Sequence, residues 1–158
     1  MTSSRITVLG VGNPIMGDDG VGIRLLDAVR AACPDERVEY VEGGTGGMEL
    51  LPVVQGASRL LILDAVAGAH PGAVVELAGD QIPRLLSSKL SPHQVGLLDV
   101  FAAARMLGRE PDTIAVVGIV PASVQLGLGL TPEVADGLTE ATAVACGVLD
   151  RWLAEEDR

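Results

Sequence analysis

The chain has 158 residues and a formal net charge of −10 at pH 7, a size that suits one domain spanning residues 1–158. Such acidity speaks against nucleic acid or an anionic membrane as partner, because both require Lys/Arg surfaces. Hydrophobic residues make up 48% but aromatics only 2%, so the core must be built from Val, Leu, Ile and Ala, and a chain of this length buries roughly two-thirds of its unfolded surface.

The first element is a strand over residues 6–9, which runs into Gly10, Gly12, Asn13 and Pro14. That break, and the lack of an A-x-A site after it, fit neither a signal peptide nor a spanning helix. A soluble cytoplasmic protein is expected. The following turn, Gly12-Asn13-Pro14-Ile15-Met16-Gly17, has the glycine spacing of a phosphate loop, but Asp18 and Asp19 stand where Lys and Ser/Thr would be. A phosphate cradle needs backbone N–H groups and a cation. Two carboxylates repel phosphate and attract a metal or a positive group.

A helix follows, with Val21, Leu25, Val29 and Ala32 on one face. Next come a strand at 38–41, a short helix over 48–55 limited by Pro52, and a strand at 60–63 that ends on Asp64. The run at 74–77 lies too close behind it for a helical crossover, so it is expected to be antiparallel. Ser91-Pro92-His93-Gln94 reads as an N-cap, a first-turn proline and a capping Gln, opening a helix whose apolar face holds Leu97, Val100, Phe101 and Ala104. A strand at 114–119 and a last helix, opened in the same way by Thr131-Pro132 and running to about residue 153, complete the chain. Apolar strands alternating with helices predict an α/β fold: a three-layer α/β/α sandwich on a mostly parallel five-stranded twisted sheet with one antiparallel strand.

In open α/β sheets ligands gather at the carboxyl ends of the strands. Asp18 and Asp19 follow the first strand, Asp64 tips a run of four aliphatics, and His93 starts a helix. If Asp19, Asp64 and His93 converge, they offer an oxygen–oxygen–nitrogen set suited to Ni, Zn, Fe or Mn. Asp18 reads as the structural member of the acid pair, capping the first turn, and His70 as a solvated loop residue. The positive end of the helix dipole keeps a first-turn imidazole neutral and able to ligate. Cys33 and Cys146 have no C-x-x-C spacing and read as two separate buried thiols in a reducing cytosol. With no G-x-S-x-G and no histidine beside either cysteine, a hydrolase here is expected to be activated by a metal.

With these residues in view, the sequence resembles the hydrogenase maturation endopeptidases, which process the large subunit of nickel–iron hydrogenases. The likeness rests on Leu9-Gly10-Val11-Gly12-Asn13-Pro14 with Gly17-Asp18-Asp19-Gly20-Val21-Gly22, on Gly43-Gly44-Thr45-Gly46-Gly47-Met48-Glu49-Leu50, on Leu63-Asp64-Ala65, and on Ser91-Pro92-His93-Gln94-Val95-Gly96-Leu97-Leu98-Asp99. It implies an endopeptidase that removes a C-terminal extension from the large-subunit precursor once nickel is in place. It also implies that Asp19, Asp64 and His93 engage that nickel, and that the metal arrives with the substrate and is not permanently bound. Two mechanisms then stay open: Asp19 or Asp64 serves as the catalytic base, or the nickel only positions the peptide while another group performs the hydrolysis. The loop at 43–47 would then rim the cleft, and a monomer is expected. The rival readings are a hydrolase holding its own zinc, a non-enzymatic module that escorts the precursor, and a nucleotide-binding domain. The first lacks an H-E-x-x-H motif, and the last is weakened by the acidic loop.

Overall fold

The computed structural model describes residues 5–79 and 92–158, the side chains at 92–95 excepted. Five strands form one sheet: β1 (Ile6–Val11), β2 (Val38–Gly44), β3 (Arg59–Ala65), β4 (Val74–Ala78) and β5 (Thr113–Ile119). Their order is β2-β1-β3-β5-β4. The pairs β1/β2, β1/β3 and β3/β5 are parallel, and β4 is antiparallel to β5. Among the described residues four α-helices accompany them: α1 (Val21–Ala32), α2 (Leu51–Gly56), α3 (Pro92–Met106) and α4 (Pro132–Glu156). Single 3-10 turns lead into α1 (Gly17–Gly20) and α2 (Met48–Leu50), so the helix expected over 48–55 is in fact a tight turn followed by a short helix with Pro52 in its first turn.

Strand alternation sorts the core onto two faces. Ile6, Val8, Leu61, Leu63, Ala115, Val117 and Ile119 pack against Leu25, Leu26 and Val29 of α1 and Ala141, Ala145, Leu149 and Trp152 of α4. Leu9, Val11, Leu60, Ile62 and Val116 pack against Val54 of α2 and Leu97, Val100 and Ala104 of α3. Each fully buried Leu or Ile is worth about 1.5–3 kcal/mol of transfer free energy. Both faces being covered explains why the parallel strands read as unbroken apolar runs. No helix among the described residues is long and apolar enough to cross a membrane.

Two details depart from the sequence reading. β4 is antiparallel, yet its neighbour is β5 and not β3: the short connection crosses the end of β5, where Gly72 N donates to Val120 O (2.8 Å) and Val120 N to Ala73 O (2.9 Å). A short link fixes direction, but it cannot reveal a strand that slots in between. The two cysteines are not separate thiols. Cys33, just past the end of α1, is joined to Cys146 of α4 as a disulfide, with Cα atoms 6.1 Å apart. Their separation by 113 positions in sequence hides a proximity that arises only when α1 and α4 pack side by side. His70 is exposed in its loop, as expected.

Candidate active site

At the carboxyl end of β1 the chain turns back so tightly that only glycine fits. Gly12 has φ 138°, and a Cβ there would strike the carbonyl of Asp19. At Gly22 a side chain would drive into the carbonyls of Val11 and Leu63, where the start of α1 rests on the ends of β1 and β3. The glycines that resemble a phosphate loop are thus packing glycines, and what they bring to the strand ends is a pair of carboxylates.

Asp19 is only 7% exposed, and its Oδ2 accepts the backbone N–H of Asn13 at 3.0 Å. The acid therefore fastens its own loop, six residues back, while lying at the end of β1. Asp64 is wholly buried at the tip of the adjacent parallel strand β3, and its Oδ1 accepts the N–H of Ala65 at 2.8 Å. Its parity with Leu60 and Ile62 turns it to the face covered by α2 and α3. The backbone of His93 lies in the first turn of α3; its ring, like the Ser91 cap, lies outside the described residues. That helix start is set at the same end of the sheet, because Gly96 stands against Gly47 in the glycine loop after β2. The loop is hydrogen-bonded to the acid-bearing turn through Gly12 N and Gly44 O (2.8 Å), and Gly44 has φ 54°. Among the described residues no three His, Cys, Asp or Glu side chains form a metal-sized group.

Asp18 does something the sequence did not foretell. It makes no cap to its own turn. Instead Oδ2 accepts Ala122 N (2.9 Å), Ser123 N (3.0 Å) and the Thr131 hydroxyl (2.7 Å), and Oδ1 accepts Thr131 N (2.7 Å). Burial pushes this carboxyl up, but the bonds from Thr131, Ser123 and Ala122 outweigh it and hold the pKa below its ordinary 3.8. Thr131 was expected to cap α4; its hydroxyl is spent on Asp18, and the helix starts from Pro132 without a side-chain cap. Only the alternation of Leu and Gly at 126–130, unusual for a solvated loop, hinted that this segment matters.

Residues 23–148 match the model of the HycI hydrogenase maturation protease family. The chain belongs to that family. The hydrogenase 2 maturation protease of Escherichia coli K12 is 42% identical over 82% of this chain and 81% of its own. The hydrogenase expression/formation protein HupD of Bradyrhizobium diazoefficiens is 37% identical over 94% of this chain and 80% of its own. The solved hydrogenase maturating endopeptidase HybD from E. coli shares the fold with a TM-score of 0.87, at 37% identity and over 93% of both chains. As a maturation protease by family, the chain keeps its acids at the strand ends where an α/β fold places its ligands.

Proposed function

We propose that this protein is an endopeptidase that removes a C-terminal extension from the precursor of a nickel–iron hydrogenase large subunit after nickel insertion. One observation carries the reading beyond family membership: Asp19 and Asp64 stand at the carboxyl ends of adjacent parallel strands, with the first turn of the His93 helix at the same end of the sheet. Two carboxylates and a neutral imidazole form a donor set that suits a borderline divalent ion. Three protein ligands leave room for the groups by which a substrate already holds its metal. Asp19, Asp64 and His93 would engage that substrate-borne nickel, and the protease would need no metal of its own.

The division of labour follows from burial. Asp64 is sealed at 0% exposure, whereas Asp19 keeps contact with the surface. Asp19 is therefore placed to take a proton from the attacking water, and Asp64 to orient the metal-bearing segment. In the hydrolysis the water oxygen joins the scissile carbonyl carbon, the C–N bond breaks, and the released amine takes up a proton. A cation close to that carbonyl stabilises the charge that develops on its oxygen. Because cleavage would await a metal, the enzyme would act as a check on nickel loading.

The test is mass spectrometry of a large-subunit precursor incubated with the protein, nickel-loaded and nickel-free. Loss of a C-terminal peptide from the loaded form alone is expected. Equal cutting of both forms would refute metal recognition by the acid–acid–histidine set, and binding with no mass change would favour the escort role.

A further inference from the structure

The twelve residues 121–132 include no ionisable side chain, in a protein where 20% of residues are charged and the net charge is −10. Within this stretch Leu126 and Leu128 are 78% and 85% exposed, Val124 is 49% exposed, and Ile15 on the acid-bearing loop is 52% exposed. The two segments are physically joined. Gly127 N donates to Ile15 O (2.8 Å), and Gly17 N donates to Gly127 O (2.9 Å). Ile15 and the two leucines thus border one edge of the turn that carries Asp19.

These side chains are held out in water by a firm scaffold. Asp18 grips both ends of the stretch, Ala122 and Ser123 on one side and Thr131 on the other, and Asp18 N donates back to Ser123 O (2.9 Å). A buried carboxylate with four donors is a strong tether, since bonds to a charged acceptor are about twice as strong as neutral ones. Apolar groups fixed in solvent are unfavourable unless something covers them, and clustered ones mark contact surfaces. Charge narrows the choice of partner. An uncharged lip on an acidic protein accepts an apolar segment without stripping water from ions, while the surrounding negative field turns acidic segments away.

We propose that Ile15, Val124, Leu126 and Leu128 form the substrate-gripping lip of this protease, taking an apolar, non-acidic stretch of the polypeptide beside the scissile bond, and that Asp18 is the positioning residue that holds the lip. This rests on the endopeptidase reading above. The lip gives the cleft a specificity the three metal-directed groups cannot provide, because they address the metal and not the chain around it.

The experiment measures both the Kd for a nickel-loaded large-subunit precursor and its cleavage kinetics, in the wild type and in three variants. Leu126→Ser/Leu128→Ser, on an exposed surface that leaves the core intact, is expected to raise Kd and KM by about tenfold or more, from the lost burial of two leucines, with kcat within about twofold. Leu126→Met/Leu128→Met, which keeps the apolar area, is expected to stay near wild type. Thr131→Val, which removes one donor from Asp18 without touching the lip, is expected to raise KM by a smaller factor and to leave kcat alone. Unchanged affinity in the serine variant, or a fall in kcat with KM preserved, would overturn the lip. If the wild type binds the precursor without cutting it, the endopeptidase reading fails while the lip is still judged by Kd. If it neither binds nor cuts, both fall.

Discussion

Asp18 and Asp19 are neighbours in one turn and both are buried, yet their hydrogen bonds reach very different distances along the chain. Asp18 accepts from residues 104 to 113 positions away and binds the loop before α4 to the loop after β1. Asp19 accepts from Asn13, six positions back, within its own loop. A carboxylate given three backbone N–H donors and one hydroxyl by distant segments is committed to architecture and stays ionised in place. On the function proposed above, Asp19, whose Oδ2 accepts Asn13 N in the glycine-rich turn after β1, is the acid assigned to chemistry. On that proposal, one dipeptide divides holding the site from operating it.

That division can be attacked from several sides. The largest effect is expected at Asp64, the other acid assigned to chemistry. Asp64→Asn should cut turnover by about a hundredfold or more, as loss of a positioned acid–base or charged group does, with circular dichroism and elution volume unchanged; near-normal cleavage would remove Asp64 from the site. Next is the disulfide, which stabilises without touching either acid. Cys33→Ser/Cys146→Ser should lower unfolding free energy by about 2–5 kcal/mol, given the long loop it closes, and leave cleavage by the folded protein intact. An unshifted urea midpoint would mean that the bridge bears no load.

Asp18→Asn should cost about 2–3 kcal/mol in a urea titration, because its amide turns a donor toward groups that are themselves donors. Asp19→Asn should cost less, about 1 kcal/mol, from weakening its bond to Asn13 N. Equal losses would erase the contrast. The smallest effect is in acid. The folded-state pKa of Asp18 lies below its ordinary 3.8, so its contribution is fully present above pH 3.8 and is lost as the pH falls through the depressed value. In wild type the urea midpoint should drop over that range, and in Asp18→Asn this component should vanish; an identical acid limb in both would show that other carboxylates set it.

Much of this layout was legible in the sequence. Strands such as residues 60–63 declare themselves because burial on both faces demands unbroken aliphatics, and the parity of Leu60, Ile62 and Asp64 already assigns the acid to one face. That Asp64 tips a strand follows from the run it ends, whereas the pairing of β1 with β3 depends on a strand order the sequence does not state. What stayed hidden depends on contacts between distant segments. The insertion of β5 between β3 and β4, the approach of Cys33 to Cys146, and the capture of Thr131 by Asp18 all arise from packing that no local pattern records. The reading of Asp18 as structural was right in kind; its partners lay over a hundred residues away and not in its own turn. The role of His93 rests on its place in the first turn of α3 and on the sequence motif around it.

The most direct test of the account is single-turnover cleavage of nickel-loaded precursor, followed by mass spectrometry, for Asp19→Asn beside Asp18→Asn at matched folded fraction and saturating protease. The account predicts that Asp19→Asn is folded, binds the precursor and releases essentially no C-terminal peptide, whereas Asp18→Asn, though less stable, cuts at a rate within about tenfold of wild type per folded molecule. Normal cleavage by Asp19→Asn, or abolished cleavage by well-folded Asp18→Asn with Asp19→Asn active, would contradict it.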